Sequence, residues 1–153
     1  LLLNSAGIFG PRDYTFDEIE YSEWMKVFDI NIFSPLKICS AFLPHVLKSN
    51  QKKMVTVSSI MGSIEKNTGG GNYIYKSSKA AVNQVMKCLA NDLLEKKVAI
   101  RLLHPGWVKT DMGGDGADIT AEVSVSGMRS VIDDLNIQST GTFNNYDGTI
   151  IPW

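Results

Sequence analysis

The sequence predicts an α/β fold in which helices cover both faces of a parallel sheet. Three short apolar segments are typical of buried strands: "LLL" from Leu1, "KMVTVSS" from Lys53 and "VAIRLLH" from Val98. Longer segments with helical periodicity separate them, and a last strand is predicted around "FNNYDGTII". Strands that alternate with helices favour parallel pairing, because each connection must cross back over the sheet.

Three helices are predicted, over residues 22–48, 73–96 and 121–135, and a turn-rich segment precedes the first of them. The second helix carries two rows of apolar residues at intervals of four: Ala81, Val85, Leu89 and Leu93, and, one step round, Val82, Met86, Ala90 and Leu94. A broad apolar stripe of this kind predicts that the helix packs on the sheet.

The composition is that of one globular domain, with 44% hydrophobic and 20% charged residues in a chain of 153. We therefore expect a single domain over residues 1–153. The net charge of -1 is scattered along the chain and leaves no basic face for nucleic acid. Cys39 and Cys88, like His45 and His104, lack metal-type spacing, so we expect reduced thiols and no metal site.

The sequence also bears on location and completeness. No uninterrupted apolar run approaches the ~18 residues of a membrane span, and "LLLNSAG" has neither the length nor the basic flank of a signal peptide. We therefore expect a cytoplasmic protein with no membrane partner. The chain opens on Leu1 rather than Met, inside an apolar run, which indicates a fragment of a longer domain.

Small and polar residues follow each of the first three predicted strands. "LLL" leads into Asn4-Ser5-Ala6-Gly7, "MVTV" into Ser58-Ser59, and "IRLLH" into Pro105-Gly106. The carboxyl ends of parallel strands lie along one edge of a sheet, where open α/β sheets bind their ligands. Glycine in two of these loops would let a ligand approach the backbone, although a turn glycine is the ordinary alternative.

An amide occupies a core position in the first predicted helix. Trp24, Val27, Phe28 and Asn31 follow the i, i+3, i+4, i+7 pattern, so Asn31 should be buried and should need hydrogen-bond partners. Pro35 lies four residues on and has no N–H, so the carbonyl of Asn31 lacks its helical partner. The alternatives at this point are a functional carbonyl and a simple helix kink capped by water.

The stretch "NYIYKSSKAAV" places Tyr75 and Lys79 one above the other on the second helix, just after the loop "GGGN". A surface contact between the two side chains is the ordinary explanation. The chemical alternative is a proton donor, because an ammonium ~5 Å from a phenol at an effective dielectric of ~20 favours the phenolate by about 3 kcal/mol, or roughly 2 pK units. Tyr73 lies about 240° round the helix from Lys79 and cannot share that face.

Taken together, "NSAG", Asn31, "SSIMGS", "YKSSK" and "HPGWVKTDMGG" resemble the short-chain dehydrogenase/reductase family, in its C-factor and sniffer-like carbonyl reductase branch. The resemblance covers nearly the whole chain. It implies a Rossmann-like doubly wound parallel sheet, of which about four strands are present and the first three are missing. It also implies an NAD(P)-dependent oxidoreductase that reduces a carbonyl or oxidises an alcohol, and a homodimer or homotetramer in the full-length protein.

The resemblance implies a catalytic tetrad of Asn31, Ser59, Tyr75 and Lys79. Ser59 is preferred to Ser58 because two residues and a glycine follow it, as in the family, and Ser63 is the weaker alternative. Tyr75 would donate the proton, Lys79 would also hold the nicotinamide ribose, and Ser59 would bind the substrate oxygen. The carbonyl of Asn31 would hold a water that links Lys79 to solvent.

The implied cofactor is NADP, with NAD as the alternative. Only the resemblance to the sniffer-like branch favours NADP over NAD. Its implied contacts are Asn4, Ala6, Gly7, Tyr75, Lys79, Pro105, Gly106, Val108 and Thr110. Ser5 replaces an asparagine of the family's Asn-Asn-Ala-Gly turn, which should preserve the backbone contacts. The segment "IEKNTGG" lengthens the gap between Ser59 and Tyr75, so it should bulge outward as a flexible substrate-side loop.

The family's glycine-rich loop, Thr-Gly-x-x-x-Gly-x-Gly, is not found in the sequence. "TGGGNYIY" has Tyr73 where the next glycine is required, and "GGDGAD" opens no helix after a strand. Two classes of function therefore remain. One is the catalytic part of an NAD(P)-dependent enzyme, and the other is a non-catalytic binding or dimerisation module that cannot hold the dinucleotide.

Overall fold

The computed structural model describes all residues, 1–153, and contains one four-stranded parallel sheet. Its strands lie in the order of the sequence: β1 (Leu2–Asn4), β2 (Lys53–Val57), β3 (Ala99–His104) and β4 (Thr142–Asn145). The principal helices are α1 (Tyr21–Phe28), α2 (Ser34–Lys48), α3 (Tyr73–Asp92) and α4 (Ala121–Asp133). The predicted α/β fold and its strand order are confirmed.

The strand register explains why both faces of the sheet are apolar. Met54 of β2 is paired with Ile100 of β3, and Leu102 of β3 with Phe143 of β4. Paired residues of parallel strands point to the same face, and these four contribute to one buried cluster. Their neighbours along the strands, such as Val55 and Leu103, form a second cluster on the opposite face.

Helices α2 and α3 cover the first face and α4 covers the second, as the alternating pattern predicts. Cys39 of α2 shares the larger cluster with Val82, Met86 and Ala90 of α3, whereas Val131 of α4 belongs to the smaller one. Of the two predicted rows, the one that includes Val82 is buried as far as Ala90, whereas the other is half-buried except for Leu93, which is buried. Leu94 is exposed because the helix has ended at Asp92.

The first predicted helix contains a π-helical turn over Asp29–Phe33. The N–H of Ser34 donates to the carbonyl of Asp29, five residues back, and the Ser34 hydroxyl donates to the same oxygen. Pro35 follows directly and cannot donate, so the expected kink takes the form of one wider turn. Asn31 lies at its centre and is buried.

By length and composition, the helical segment Tyr21–Lys48 could cross a membrane, with an 18-residue window of mean hydropathy 1.3. This segment is a helix with polar residues scattered among its apolar ones, so it is not the apolar run of about 18 residues that the sequence was expected to lack. The finding is weak evidence for a membrane span, since core helices meet the same criteria. Only 28% of the window is buried within this chain, which leaves many of its apolar side chains exposed.

Candidate active site

The carboxyl ends of β1, β2 and β3 bring three loops to one edge of the sheet. The N–H of Ser58 donates to the carbonyl of Leu103 at 2.7 Å, which extends the pairing of β2 and β3 up to the loops. Gly106 has a φ of +84°, and a Cβ there would stand 2.6 Å from Ile119 Cδ1, so this turn requires glycine. The three loops therefore meet at this edge of the sheet, as the sequence predicted.

Tyr75 lies at the amino-terminal end of α3 and faces this edge. Its side chain is buried, and its ring stacks on Phe9 with the centroids 4.3 Å apart and the planes 17° from parallel. Phe9 belongs to the loop after β1, in which the sequence shows no periodicity, so its contribution was missed. The stacking fixes the phenol against the loop in a defined orientation.

Lys79 lies one turn further along α3, with its Nζ 5.6 Å from the centre of the Tyr75 ring. Burial lowers the pKa of this ammonium from 10.5 to about 8. Its one protein acceptor is the carbonyl of Val57, at 3.2 Å, at the end of β2. An ammonium has three N–H groups, so two remain to bind a ligand.

The pKa of Tyr75 differs from the sequence-based expectation. Burial raises it above its usual value of 10, and the opposing effects are a hydrogen bond with Ser59 and the positive charge of Arg12. The prediction that the Lys79 ammonium brings this pKa about 2 units below its usual value was wrong for the protein without ligands. Spacing along a helix gives the distance between two groups, but it does not give the cost of removing both from water.

The structure separates the three candidate serines by their contacts. Ser58 Oγ is buried and donates to Asn83 Oδ1 at 2.6 Å, and Ser63 Oγ donates to the carbonyl of Pro152 at 2.6 Å. Ser59 Oγ accepts the N–H of Met61 and lies beside Tyr75, whose pKa it lowers. Of the three hydroxyls, that of Ser59 is the one beside the phenol.

Asn31 ties the π-helical turn to the loop after β1. Its Oδ1 accepts the N–H of Ile8 at 2.9 Å, and its Nδ2 donates to the carbonyl of Ile8 at 2.8 Å and to Ser78 Oγ at 3.0 Å. Ser78 is the neighbour of Lys79 on α3. The buried amide is thereby satisfied on both sides, as the burial pattern required.

The amino-terminal end of α3 is held by residues of the loop after β1 and of α1. Asn72 precedes the helix in a left-handed conformation and gives no side-chain cap. The hydroxyl of Tyr14 instead accepts the N–H of Ile74 at 3.1 Å, and Trp24 Nε1 donates to Ser77 Oγ at 3.0 Å. Sequence reasoning did not find Tyr14, because a cap supplied from sixty residues away has no local pattern.

The side chains of some predicted cofactor-binding residues form hydrogen bonds within the protein itself. The Asn4 side chain is buried, and its Nδ2 donates to Thr56 Oγ1 and to the Cys39 sulfur. Cys39 and Cys88 are both free thiols. Thr110 Oγ1 donates to the carbonyl of Val108 and accepts the N–H of Gly113, which orders the loop after β3.

Ala6, Gly7 and Pro105 complete the predicted set. Ala6 is exposed at the end of the β1 loop, and the carbonyl of Pro105 accepts the Ser124 hydroxyl at 2.6 Å. Gly7 lies against the lysine, because a Cβ there would stand 3.3 Å from Lys79 Nζ. A side chain at this position would fill space beside the ammonium.

The glycine segment before α3 lies on the surface. Residues 64–70 are exposed, in agreement with the predicted bulge. Lys76 Nζ donates to Asn67 Oδ1 and to the carbonyls of Gly69 and Gly70, which fixes the segment to α3. A small cavity of about 150 Å³ lies beneath it, bordered by Ser63 and Ser77 among others.

The chain matches a known protein family and several of its members. A family model described as short chain dehydrogenase matches residues 1–118. The whole chain is 41% identical to the C-signal of Myxococcus xanthus and covers 92% of that protein. It is 36% identical, over 139 residues, to the 1-hydroxy-2-glutathionyl-2-methyl-3-butene dehydrogenase of Rhodococcus sp., with 88% of this chain and 61% of that dehydrogenase covered.

Solved structures of carbonyl reductases are similar to this chain over nearly its whole length. Carbonyl reductase Sniffer of D. melanogaster superposes with a TM-score of 0.93 at 36% identity, and an NADPH-bound carbonyl reductase from chicken fatty liver with 0.91 at 34%. Both comparisons cover 99% of this chain and 65% of the other. The chain thus spans less than two thirds of these reductases and of the Rhodococcus dehydrogenase, but nearly all of the C-signal.

Proposed function

Because the chain belongs to the short-chain dehydrogenase family, we propose that it is the catalytic part of an NADP-dependent oxidoreductase that reduces a carbonyl compound or oxidises the corresponding alcohol. The observation that carries this proposal is the convergence of Tyr75, Ser59 and Lys79 at one edge of the sheet. These three residues supply a buried phenol, an adjacent hydroxyl and a buried ammonium with two free N–H groups. We propose further that residues 1–153 form one partial domain of the Rossmann type.

In the proposed reaction, Tyr75 donates its phenolic proton to the carbonyl oxygen of the substrate. The raised pKa of Tyr75 keeps the phenol protonated in the resting protein, as a proton donor requires. Ser59 donates a hydrogen bond to the same oxygen and stabilises the charge that develops there. The positive charge of Lys79, close to the ring, stabilises the phenolate that remains.

The residues present fit a nicotinamide cofactor at this edge. Lys79 has two N–H groups free for ribose hydroxyls, and Gly7 leaves open space beside its Nζ. The backbone of Asn4 and Ala6 and the segment from Pro105 through Gly106 and Val108 to Thr110 would complete the contacts. The reduced cofactor NADPH, when bound, would supply the hydride to the carbonyl carbon and would be left as NADP+. Three neighbouring structures contain NADPH or NADP, which supports this choice over NAD.

Asn31 would act as a positioning residue in this scheme. Its side chain is fully used in holding Ile8 and Ser78. Pro35 cannot donate to its backbone carbonyl, so we propose that this oxygen holds a water on the route from Lys79 to solvent. Protons lost from Tyr75 would be replaced along that route.

The test is a fusion that restores the part of the fold absent from this chain. The first three strands and the glycine-rich loop of a sniffer-type carbonyl reductase would be joined to Leu1, and oxidation of NADPH with simple ketones would be followed at 340 nm. The proposal predicts ketone-dependent turnover by the fusion. A folded fusion that binds NADPH and turns over no ketone or alcohol would contradict it.

A second candidate is a binding module that retains the site without redox chemistry. The observation in its favour is the C-signal of Myxococcus xanthus, of which this chain covers 92%, so that a protein of nearly the same extent exists as a relative. The kinetics of the fusion separate the two, because a module without redox chemistry should show no ketone-dependent oxidation of NADPH even when the dinucleotide is bound.

A further inference from the structure

An unpaired arginine lies beside the proposed catalytic tyrosine. Its guanidinium carbon is 4.4 Å from the centre of the Phe9 ring, whose centre is in turn 4.3 Å from that of Tyr75. Arg12 and Tyr75 thus both contact the Phe9 ring at the site.

The orientation of Arg12 is fixed by a second loop. Its Nη2 donates to the carbonyl of Met112 at 2.7 Å, across one hundred residues of sequence. Met112 belongs to the loop after β3, so the arginine connects the two loops that border the site. A guanidinium held by a ring and by a carbonyl loses less freedom on binding a ligand than a free surface arginine would.

The charge of Arg12 is not neutralised within the protein. The structure has one ion pair, between Lys26 and Glu23, and the remaining N–H groups of Arg12 have no protein acceptor. Arginine presents five donors in a planar fork that matches a carboxylate. The charge of Arg12 also reaches the site, since it lowers the pKa of Tyr75.

We propose that Arg12 binds a carboxylate of the substrate, so that the site prefers oxo acids, in which a ketone and a carboxylate are separated by several bonds. The ketone oxygen would lie at Tyr75 and Ser59, and the carboxylate would lie at the Arg12 fork beside Phe9. Phe9 sets the spacing between the two ends, which favours a substrate with an intervening planar or extended segment. This inference rests on the proposed function for the position of the ketone.

The test compares two ligands that differ in charge and hardly in shape. The probes are 4-acetylbenzoate and its neutral counterpart 4-acetylbenzamide, titrated by ligand-observed NMR against the chain alone. We expect the carboxylate to bind about fivefold more tightly, as for a partly exposed guanidinium–carboxylate contact, and this preference to weaken in high salt. Arg12→Gln should abolish the preference, and Arg12→Lys should restore only part of it.

Arg129→Gln is the matched control, because it removes the same charge from an exposed position on α4. It should leave the preference unchanged. Equal affinity for the two probes, no binding of either, or a preference that survives Arg12→Gln would overturn the proposal. The titration involves no turnover, so an inactive fusion with intact Arg12-dependent binding would refute the oxidoreductase and not the carboxylate site.

Discussion

Asn31 and Lys79 meet at Gly7, where a Cβ would stand 3.3 Å from both Asn31 Oδ1 and Lys79 Nζ. The two side chains come from different helices, and the backbone of the loop after β1 passes between them. The amide holds that loop through Ile8, and the ammonium lies beside Tyr75. The geometry of the proposed site therefore depends on the π-helical turn that carries Asn31.

Replacing Asn31 should loosen this loop. Asn31→Ala leaves the N–H and the carbonyl of Ile8 without partners in a partly buried position, so we expect a loss of about 2 kcal/mol in the free energy of unfolding. Urea denaturation measures the loss, and faster hydrogen exchange at Ile8 locates it. Asn50→Ala, at an exposed position, is the control and should change neither. An unaltered exchange rate at Ile8 would argue against the coupling.

The segment that carries Ser59 packs closely on α3 at Gly62. A Cβ at Gly62 would lie 2.7 Å from the backbone carbonyl carbon of Lys79. Backbone cannot move aside as a side chain does, so Gly62→Ala should cost about 2 kcal/mol in unfolding free energy. Gly70→Ala meets nothing within 4 Å and should be nearly neutral. Equal stabilities of the two variants in urea denaturation would show that the packing is looser than described.

The buried ammonium of Lys79 makes stability depend on pH. Its pKa is about 8 in the folded protein, below the usual 10.5, so between these values the unfolded chain binds more protons and stability rises with pH. Below pH 8 the full cost of burying the charge is present. Lys79→Met should therefore be more stable than the unmodified chain at pH 7, by about 1–3 kcal/mol, and this advantage should shrink toward pH 10.

Parallel urea denaturation at pH 7 and pH 10 checks this expectation. The pKa of Tyr75 is raised above 10, so its phenol is protonated in the folded and unfolded chains at pH 7 and does not enter the comparison there. Lys48→Met, at an exposed position, should show no such pH-dependent gain. A Lys79→Met protein that is less stable at pH 7 would mean that the hydrogen bond to Val57 outweighs the burial of the charge.

The exposed apolar residues of the segment Tyr21–Lys48 lead us to expect self-association. Phe33 and Phe42 are 42% and 49% exposed, which is costly for large aromatic rings in water. We expect a dimer in size-exclusion chromatography with light scattering, and a shift to monomer on replacing Phe33 and Phe42 together by Glu. Ile64→Glu, in the exposed loop before α3, should leave the dimer intact. A monomer at every concentration would refute this expectation.

Much of the fold could be predicted because its signals are periodic. The parallel strands and the helix that carries Tyr75 and Lys79 follow from apolar spacing, and the burial of Asn31 follows from its position in the same pattern. The π-helical turn was only half predicted. Pro35 indicates a lost hydrogen bond, but whether the chain responds by a kink or by a wider turn depends on the contacts of Asn31.

The contacts of the loop after β1 could not be predicted. Phe9, Arg12 and Tyr14 lie in a segment without periodicity, and each meets a partner on a distant element. Their roles depend on how the loop folds back over the site, which no local pattern records. For the same reason the raised pKa of Tyr75 was missed, because burial is a property of the whole fold.

The central claim, that Tyr75 donates the proton, is tested most directly by Tyr75→Phe in the fusion that carries the restored dinucleotide half. Ketone reduction and NADPH affinity would be measured together, the latter by fluorescence titration. We expect turnover to fall by about 10²- to 10⁴-fold while the dissociation constant of NADPH stays within about twofold, because only the donated proton is lost. Near-normal turnover by the Tyr75→Phe fusion would contradict it and return Tyr75 and Lys79 to an ordinary packing contact.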